Sequence, residues 1–209
     1  MIGAWYFDFI SPFAYLQWAR IRALQPRHDI ALRPILFAGL LEHHGHKGPA
    51  EIAGKREFTY RFVQWRADQA GLPLRFPPAH PFNPIAALRL CIAAGSTPEA
   101  VTAIFDHLWR DGRRGDDAES LAPVAAALGI DDVAAAIAQP TVKSALRDNF
   151  EQALADGVFG VPTLVAGGEL FWGDDATPMF EQWLADPGLF DGAEMQRLAR
   201  LPVGISRGG

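Results

Sequence analysis

The spacing of apolar residues over positions 1–40 changes between two periods, one typical of strands and one typical of helices. Residues 4–10 are an alternating apolar run that predicts a buried strand, and residues 12–25 carry apolar positions at helical spacing. Residues 29–37 alternate again and predict a second strand. A strand, a helix and a second strand joined in this way indicate a parallel pair with a right-handed crossover.

Helical spacing then continues alone from residue 53 to residue 156, after a loop at residues 43–49. The predicted helices cover residues 55–70, 83–94, a stretch from Thr97 onward, 119–128, 131–138 and 141–155. No strand-like stretch interrupts them, so the pattern predicts an all-helical insertion. Trp65, Phe105 and Trp109 are predicted to lie in its core.

Strand spacing returns after the helical block. Residues 161–166 and 169–172 predict two strands joined by a two-residue hairpin turn, Gly167-Gly168, and a last helix follows. Removing the block leaves the element order βαβ–ββα. We therefore predict an α/β protein: a thioredoxin-like domain over 1–40 and 157–190, an inserted helical domain over 41–156, and an extended or loosely ordered tail over 191–209.

Composition and charge restrict the function classes. Apolar residues make up 49% of the 209 residues, and no apolar stretch is long enough to cross a bilayer. The net charge of −5 favours neither nucleic acid nor a membrane surface as a partner. The amino terminus lacks a signal-peptide pattern, so a cytoplasmic location is expected. We predict no metal site, because His43, His44 and His46 have no acidic or cysteine partners nearby and are interpreted as a loop.

Ser11 lies where the first strand gives way to the first helix. The Ser11-Pro12 step places serine at the N-cap and proline at the first helical position, which suits both residue types. A hydroxyl beside the free N–H groups of a helix N-terminus can hold an anion. The alternative interpretation is that Ser11 is only a cap.

The Val161-Pro162 step begins the third predicted strand. A proline there is either an edge residue or follows a cis peptide bond. In thioredoxin-like folds a cis proline stands opposite the N-terminus of the first helix. Ser11 and Pro162 together therefore indicate that fold more strongly than either does alone.

Three stretches carry a closer resemblance: residues 7–15 (FDFISPFAY), 159–163 (FGVPT) and 171–175 (FWGDD). Over residues 3–185 the chain resembles the thioredoxin-like family that contains 2-hydroxychromene-2-carboxylate isomerase and the kappa-class glutathione transferases. These proteins are relatives of the DsbA-type bacterial disulfide oxidoreductases. The resemblance implies a homodimer.

A dithiol oxidoreductase is excluded, because Ser11 and Ala14 occupy the positions where that chemistry needs two cysteines. The single cysteine, Cys91, lies in an apolar helical run and is interpreted as an inert core residue. The thiol would then arrive with a ligand, and the resemblance implies that this ligand is glutathione. Ser11 would be the catalytic residue, stabilising the glutathione thiolate.

The resemblance implies further contacts to glutathione. Val161, followed by Pro162, would pair its main chain with the cysteinyl part. The turn at residues 172–175 would hold the γ-glutamyl end at a second helix N-terminus. Its members are Trp172, Gly173, Asp174 and Asp175. Asp174 stands where the family has an asparagine, and simple helix capping is the alternative for both aspartates.

On the helical side, Lys55 and Asn83 match family positions and are candidates to contact the substrate. The Lys55 ammonium would meet the carboxylate of the substrate. A surface lysine and a helix cap are the alternatives. The family's Tyr and Asp along the same helix are Phe58 and Phe62 here, which removes two polar groups.

The resemblance implies a glutathione-dependent cis–trans isomerase of a small aromatic carboxylate, of the 2-hydroxychromene-2-carboxylate to trans-o-hydroxybenzylidenepyruvate type, in the catabolism of aromatic hydrocarbons. Two alternatives stay open: a kappa-like glutathione transferase or peroxidase, and a non-catalytic protein that binds glutathione or a peptide.

Overall fold

The structure, a computed structural model, describes residues 2–205. The strands are β1 (Gly3–Phe7), β2 (Ile30–Pro34), β3 (Thr163–Ala166) and β4 (Glu169–Trp172). The α-helices are α1 (Pro12–Leu24), α2 (Phe37–His43), α3 (Ala53–Gln69), α4 (Ile85–Ala93), α5 (Pro98–Phe105), α6 (Ala118–Ala127), α7 (Val133–Ala138), α8 (Pro140–Ala155), α9 (Thr177–Ala185) and α10 (Ala193–Leu198). A π-helical segment, Asp106–Arg110, follows α5, and 3-10 turns form at Pro49–Glu51 and Asp174–Ala176.

The sheet has the strand order β2-β1-β3-β4. β1 runs parallel to β2 and antiparallel to β3, and β4 runs antiparallel to β3. Since α1 joins β1 to β2 and the helices α2–α8 separate β2 from β3, the predicted βαβ–ββα order with a helical insertion is confirmed. Tyr6 pairs with Thr163, so β1 ends and β3 begins at the same end of the sheet.

Several element boundaries differ from the predicted ones. β1 ends at Phe7 rather than at residue 10, because the Asp8 carboxylate accepts a hydrogen bond from the Ile10 N–H at 3.0 Å and turns the chain. The predicted second strand stops at Pro34, and Phe37 begins α2, which was not predicted. α2 also crosses the predicted domain boundary at residue 40.

The carboxyl-terminal tail is more regular than predicted. The short helix α10 forms within the segment expected to be extended or loosely ordered. All of its residues are exposed, so α10 buries no apolar face. Only the local spacing of its residues could have indicated a helix from the sequence. The last part of the predicted tail, residues 206–209, lies outside the described residues.

One apolar core joins the sheet to the inserted helices. Trp5, Phe7 and Phe9 lie 4.7–6.4 Å, centroid to centroid, from the Phe105 ring. Phe105 and Trp109 are fully buried, as predicted. The sheet and the helical insertion therefore share a core, and Ser11 lies at the end of the strand that forms its centre.

Helix α3 presents a different face to the core from the one predicted. Trp65 is 56% exposed instead of buried, because α3 turns Val63 and Ala67 inward. α1 buries Tyr15, Trp18 and Ile21. The result is that the outer side of α3 and the first turn of α1 keep aromatic side chains at the surface.

We expect Gly3→Ala to destabilise the fold by about 1–3 kcal/mol, because its new Cβ would collide with the Val165 carbonyl oxygen across the β1–β3 ladder. The matched control is Gly54→Ala on α3, where nothing lies within 4 Å of the added Cβ. Urea unfolding of both variants measures the difference. Equal stability of the two variants would contradict this packing of β1 on β3.

Candidate active site

Ser11 is the N-cap of α1, as predicted. Its Oγ accepts a hydrogen bond from the Ala14 N–H at 3.3 Å, and the residue is 7% exposed. Because the oxygen acts here as an acceptor, the hydroxyl hydrogen stays available to another partner. The Phe13 N–H, in the first turn of α1, also has no acceptor among residues 2–205. Two donors are therefore unused at the N-terminus of α1.

Asp8 shapes the turn that leads to Ser11. Its carboxylate accepts hydrogen bonds from the N–H groups of Ile10, at 3.0 Å, and Phe37, at 2.8 Å. The side chain is completely buried. Burial raises the pKa of Asp8 to about 7, although the hydrogen bonds from Phe37 and Ile10 act in the opposite direction. Sequence reasoning gave Asp8 no role, since nothing in the pattern shows that its second partner is Phe37.

Two side chains of the helical insertion hold the backbone carbonyls of the same turn. The Trp109 indole N–H donates to the Phe9 carbonyl at 2.8 Å. His80 Nε2 lies 2.9 Å from the Ile10 carbonyl, which can only accept, so this nitrogen carries the hydrogen. The Tyr60 hydroxyl lies 2.7 Å from His80 Nδ1. Burial lowers the pKa of His80, which favours the neutral ring.

His80 and Trp109 were not among the predicted site residues. The sequence places them 70 and 100 positions from the carbonyls they hold. A buried aromatic residue carrying an N–H needs an acceptor, and that was the one signal at Trp109. Which carbonyl it would find depends on how the insertion folds back over β1.

The cis proline is the second predicted feature that the structure contains. The Val161-Pro162 peptide bond is cis, and Val161 is 8% exposed. Among the described residues, no backbone hydrogen bond engages the main chain of Val161. Because β3 follows directly and its ladder with β1 is antiparallel, this loop lies at the end of the sheet where Ser11 lies.

Gln17 connects α1 to the turn after β4. Its side-chain amide donates to the Gly173 carbonyl at 3.1 Å and to the Thr177 hydroxyl at 2.9 Å. Its oxygen accepts from the Trp5 indole at 2.6 Å. The Gly173 N–H in turn donates to the Pro162 carbonyl at 2.8 Å. These bonds bring three of the predicted site elements together: α1, the cis-proline loop and the turn at residues 172–175.

The four predicted residues of that turn have different environments. Trp172 is 56% exposed, and its indole lies against Gly160, where a Cβ would be 2.6 Å from its nitrogen. Asp174 is buried, and its two carboxylate oxygens contact Arg66 Nη2 at 2.8 Å and Arg66 Nη1 at 3.1 Å. Burial raises the pKa of Asp174, against the attraction of Arg66. Asp175 is exposed.

Arg66 was not predicted from the sequence. It lies on α3 and places its guanidinium carbon 5.8 Å from the centre of the Phe62 ring. The Phe13 ring of α1 lies 6.5 Å from the same ring. The departure of Asp174 from the family asparagine was the available signal, since a buried carboxylate needs a partner.

Three rings form a row along α3, which we call the α3 aromatic row: Phe58, Phe62 and Trp65. Phe62 stacks on Phe58 at 5.7 Å and on Trp65 at 6.0 Å. Phe58 is 66% exposed. The row lies beside the first turn of α1, where Phe62 meets Phe13, and presents an apolar surface there.

The two candidate substrate residues lie outside the hydrogen-bonded group around Ser11. Lys55 is exposed in the first turn of α3, and no hydrogen bond or ion pair within residues 2–205 engages it. Asn83 uses its side-chain oxygen to accept from the Ile85 N–H at 3.1 Å, at the start of α4. Its cap role is therefore present, and its amide N–H groups have no acceptor within the described chain.

Cys91 lies apart from this group. It is fully buried on α4, and burial raises the pKa of its thiol to about 12. A thiol in that environment is not a nucleophile at neutral pH. In the described part of the chain no group of three or more His, Cys, Asp and Glu residues could hold a metal ion, and no helix is long and apolar enough to cross a membrane.

Comparison with known proteins agrees with this geometry. The sequence model of the DSBA-like thioredoxin domain matches residues 4–185. The 2-hydroxychromene-2-carboxylate isomerase of Sphingobium xenophagum is 30% identical over 188 residues, which cover 87% of this chain and 96% of that protein. The chain belongs to the 2-hydroxychromene-2-carboxylate isomerase family.

A solved structure of a 2-hydroxychromene-2-carboxylate isomerase has a TM-score of 0.74 and 26% identity, and the match covers 96% of this chain and 97% of that one. Glutathione S-transferase kappa 2 of Caenorhabditis elegans is 24% identical over 204 residues, covering 87% of this chain and 91% of that protein. The resemblance seen in residues 7–15, 159–163 and 171–175 is thereby confirmed. The protein is an enzyme of the family that includes the isomerases and the kappa-class transferases.

We expect stability to depend on pH through Asp8. Its folded-state pKa of about 7 lies above the ordinary value of 3.8, so the folded state holds the proton more tightly. This contribution is complete below about pH 4 and is lost as pH rises to about 7. In Asp8→Asn the group does not titrate. The free energy of unfolding of the variant minus that of the wild type should therefore rise across this window, by up to about 1.4 kcal/mol per pH unit.

Urea unfolding of both proteins at a series of pH values measures this difference. Loss of one accepted hydrogen bond in Asp8→Asn adds a constant offset, and the other titrating groups are the same in both proteins. A difference that does not change with pH would contradict the raised pKa.

Proposed function

We propose that this protein catalyses the glutathione-dependent cis–trans isomerisation of an aromatic carboxylate, of the 2-hydroxychromene-2-carboxylate to trans-o-hydroxybenzylidenepyruvate type. The observation that carries the proposal is the pair of unused donors at the N-terminus of α1, the Ser11 hydroxyl and the Phe13 N–H. They occupy a thioredoxin-type sulfur site in a chain with no cysteine there. The isomerase relatives support the reaction type.

Ser11 and Phe13 would act on the sulfur by donating hydrogen bonds to its charged form. A free thiol has a pKa of about 8.5, and a helix N-terminus lowers it. The Ser11 oxygen accepts from the Ala14 N–H, so its hydrogen is free to be donated to a ligand. Bound glutathione would supply a thiolate that adds reversibly to the conjugated carbon of the substrate, so that the former double bond can rotate before elimination.

The loop at Val161 and the turn at residues 172–175 would bind the peptide part of glutathione. The unengaged main chain of Val161 offers an N–H and a carbonyl to the cysteinyl residue, as the family resemblance implies. Pro162 and Gly173 are already joined by a hydrogen bond, so these two segments keep a fixed relation. Exposed Asp175 would meet the γ-glutamyl ammonium.

Lys55 and Asn83 would contact the substrate from the helical side. Lys55 is a cation with no partner in the described chain, which suits a substrate carboxylate. The α3 aromatic row would pack against the aromatic ring of the substrate. Because Phe58 and Phe62 lack the hydroxyl and the carboxylate of the family's Tyr and Asp, we expect a less polar ring substituent than the family's own substrate carries.

A kappa-like glutathione transferase is the second candidate. The specific observation in its favour is the exposed apolar surface of the α3 aromatic row, which would accept an electrophile that has no carboxylate. Turnover of 2-hydroxychromene-2-carboxylate, measured against conjugation of a chlorinated aromatic compound, separates the two activities.

We expect Ser11→Ala to lower the glutathione-dependent isomerisation rate by about ten- to a hundredfold while glutathione still binds, because a hydrogen bond to a charged group contributes about 1.5–3 kcal/mol. The matched control is Thr97→Ala. Thr97 caps α5 with the same geometry, its Oγ1 accepting from the Ala100 N–H at 3.2 Å before a proline, and lies outside the site. Both variants should lose about 1 kcal/mol of stability as lost caps.

Steady-state kinetics and calorimetric glutathione titration of both variants give the answer. Wild-type protein that binds glutathione but turns over neither 2-hydroxychromene-2-carboxylate nor the chlorinated aromatic compound above background would favour a non-catalytic glutathione-binding protein. Equal, measurable rates for Ser11→Ala and the wild type would contradict the catalytic role of Ser11. No binding of glutathione to the wild type at millimolar concentration would overturn the proposed function.

A further inference from the structure

We propose that Arg66 binds the α-carboxylate of the γ-glutamyl group, and that Asp174 holds Arg66 in place instead of touching the ligand. This assignment rests on glutathione being the ligand of the Ser11 site. It adds a residue of the helical insertion to the γ-glutamyl subsite and gives Asp174 a different role from that of a direct ligand contact.

The first observation is that the Asp174 carboxylate is already paired with Arg66. Both of its carboxylate oxygens contact the Arg66 guanidinium, at 2.8 Å and 3.1 Å, and its side chain is 7% exposed. A parallel two-bond pair of this kind fixes the plane of the guanidinium. The carboxylate is therefore already paired and has little exposed surface with which to accept from a ligand ammonium.

The second observation is that Arg66 is only partly used. A guanidinium has five N–H donors, and the pair with Asp174 engages two nitrogens, Nη1 and Nη2. Its other N–H groups have no acceptor among residues 2–205, and the side chain remains 29% exposed. One face lies over the Phe62 ring. The guanidinium is thus oriented in advance and keeps donors for a second carboxylate.

The third observation is the position of the pair within the site. Asp174 follows Gly173, which is hydrogen-bonded to both Pro162 and Gln17. On its other side, Arg66 lies over Phe62, which contacts Phe13 two residues after Ser11. The ion pair therefore joins α3 to the turn at residues 172–175, next to the segment where the γ-glutamyl end is expected.

Charge complementarity selects the ligand group. The γ-glutamyl end carries one carboxylate and one ammonium. Without Arg66 the turn would offer it two neighbouring carboxylates, Asp174 and Asp175, which repel the carboxylate. With Arg66 paired to Asp174, the subsite presents one cation with free donors and one exposed anion, Asp175. This arrangement matches the two charges of the ligand one for one.

Two truncated ligands test the assignment in the wild type. 4-Aminobutanoyl-Cys-Gly lacks the α-carboxylate, and glutaryl-Cys-Gly lacks the α-ammonium; both keep the thiol. By calorimetric titration we expect 4-aminobutanoyl-Cys-Gly to bind about ten- to a hundredfold more weakly than glutathione, because a charge-assisted hydrogen bond is lost. Equal affinity of the wild type for glutathione and 4-aminobutanoyl-Cys-Gly would overturn the assignment. This test does not depend on the folding of any variant.

Variants identify Arg66 as the residue concerned. Arg66→Gln should weaken glutathione binding about tenfold or more, yet change the affinity for 4-aminobutanoyl-Cys-Gly by less than about twofold. The matched control is Arg61→Gln on the exposed side of α3, where Arg61 pairs with Glu57 and both ligands should bind as to the wild type. Arg66→Lys, which keeps the charge and loses the two-bond geometry, should give an intermediate loss for glutathione.

Equal weakening of both ligands in Arg66→Gln would show that the pair only ties α3 to the turn, and would overturn the assignment. Unchanged glutathione binding would overturn it as well. In both cases the proposed function stands, since the wild type still binds glutathione. If the wild type bound none of the three thiols, the proposed function itself would fail.

Discussion

The buried hydrogen bonds around the turn at residues 8–11 are the constraint on which the rest of the site depends. The Asp8 carboxylate accepts from the Ile10 N–H, which ends β1 and turns the chain toward Ser11. The same carboxylate accepts from the Phe37 N–H, at the start of α2. Trp109 and His80 reach this turn from the helical insertion. The insertion is therefore part of the candidate site, because it both covers the carbonyls of Phe9 and Ile10 and supplies the donors that these carbonyls need. This arrangement buries the Asp8 carboxyl group, and burial raises its pKa to about 7.

These hydrogen bonds around residues 8–11 suggest how a thioredoxin-type site would function with no cysteine under the proposed function. In a disulfide oxidoreductase the first cysteine is part of the chain, so its position follows from the fold. Under the proposed function the sulfur arrives with a ligand, so the chain would have to fix its donors before the ligand binds. Ser11 and Phe13 are fixed by the turn and by α1, while Gln17 connects α1 to the turn that would hold the other end of the ligand. We infer that these donors are pre-organised, which lowers the entropic cost of binding.

The sequence was sufficient for the fold order, the Ser11 cap and the cis peptide before Pro162, because each has a local signature: apolar spacing, a Ser-Pro step and a proline at a strand start. It was insufficient for the residues that act across long separations. His80, Trp109 and Arg66 contact partners 70, 100 and 108 positions away, and only the packing of the insertion decides which polar group each one meets. The burial of Trp65 was wrongly predicted for the same reason: a helix with apolar residues on two sides does not reveal which side faces inward.

The central claim is that the N-terminus of α1 favours a thiolate brought by a ligand. The most direct measurement is a pH titration of the ultraviolet thiolate absorbance of glutathione in the presence of excess wild-type protein, compared with glutathione alone. The account predicts a thiol pKa for bound glutathione at least about one unit below the free value of about 8.5. Bound glutathione whose thiol pKa equals or exceeds that of the free tripeptide would contradict it.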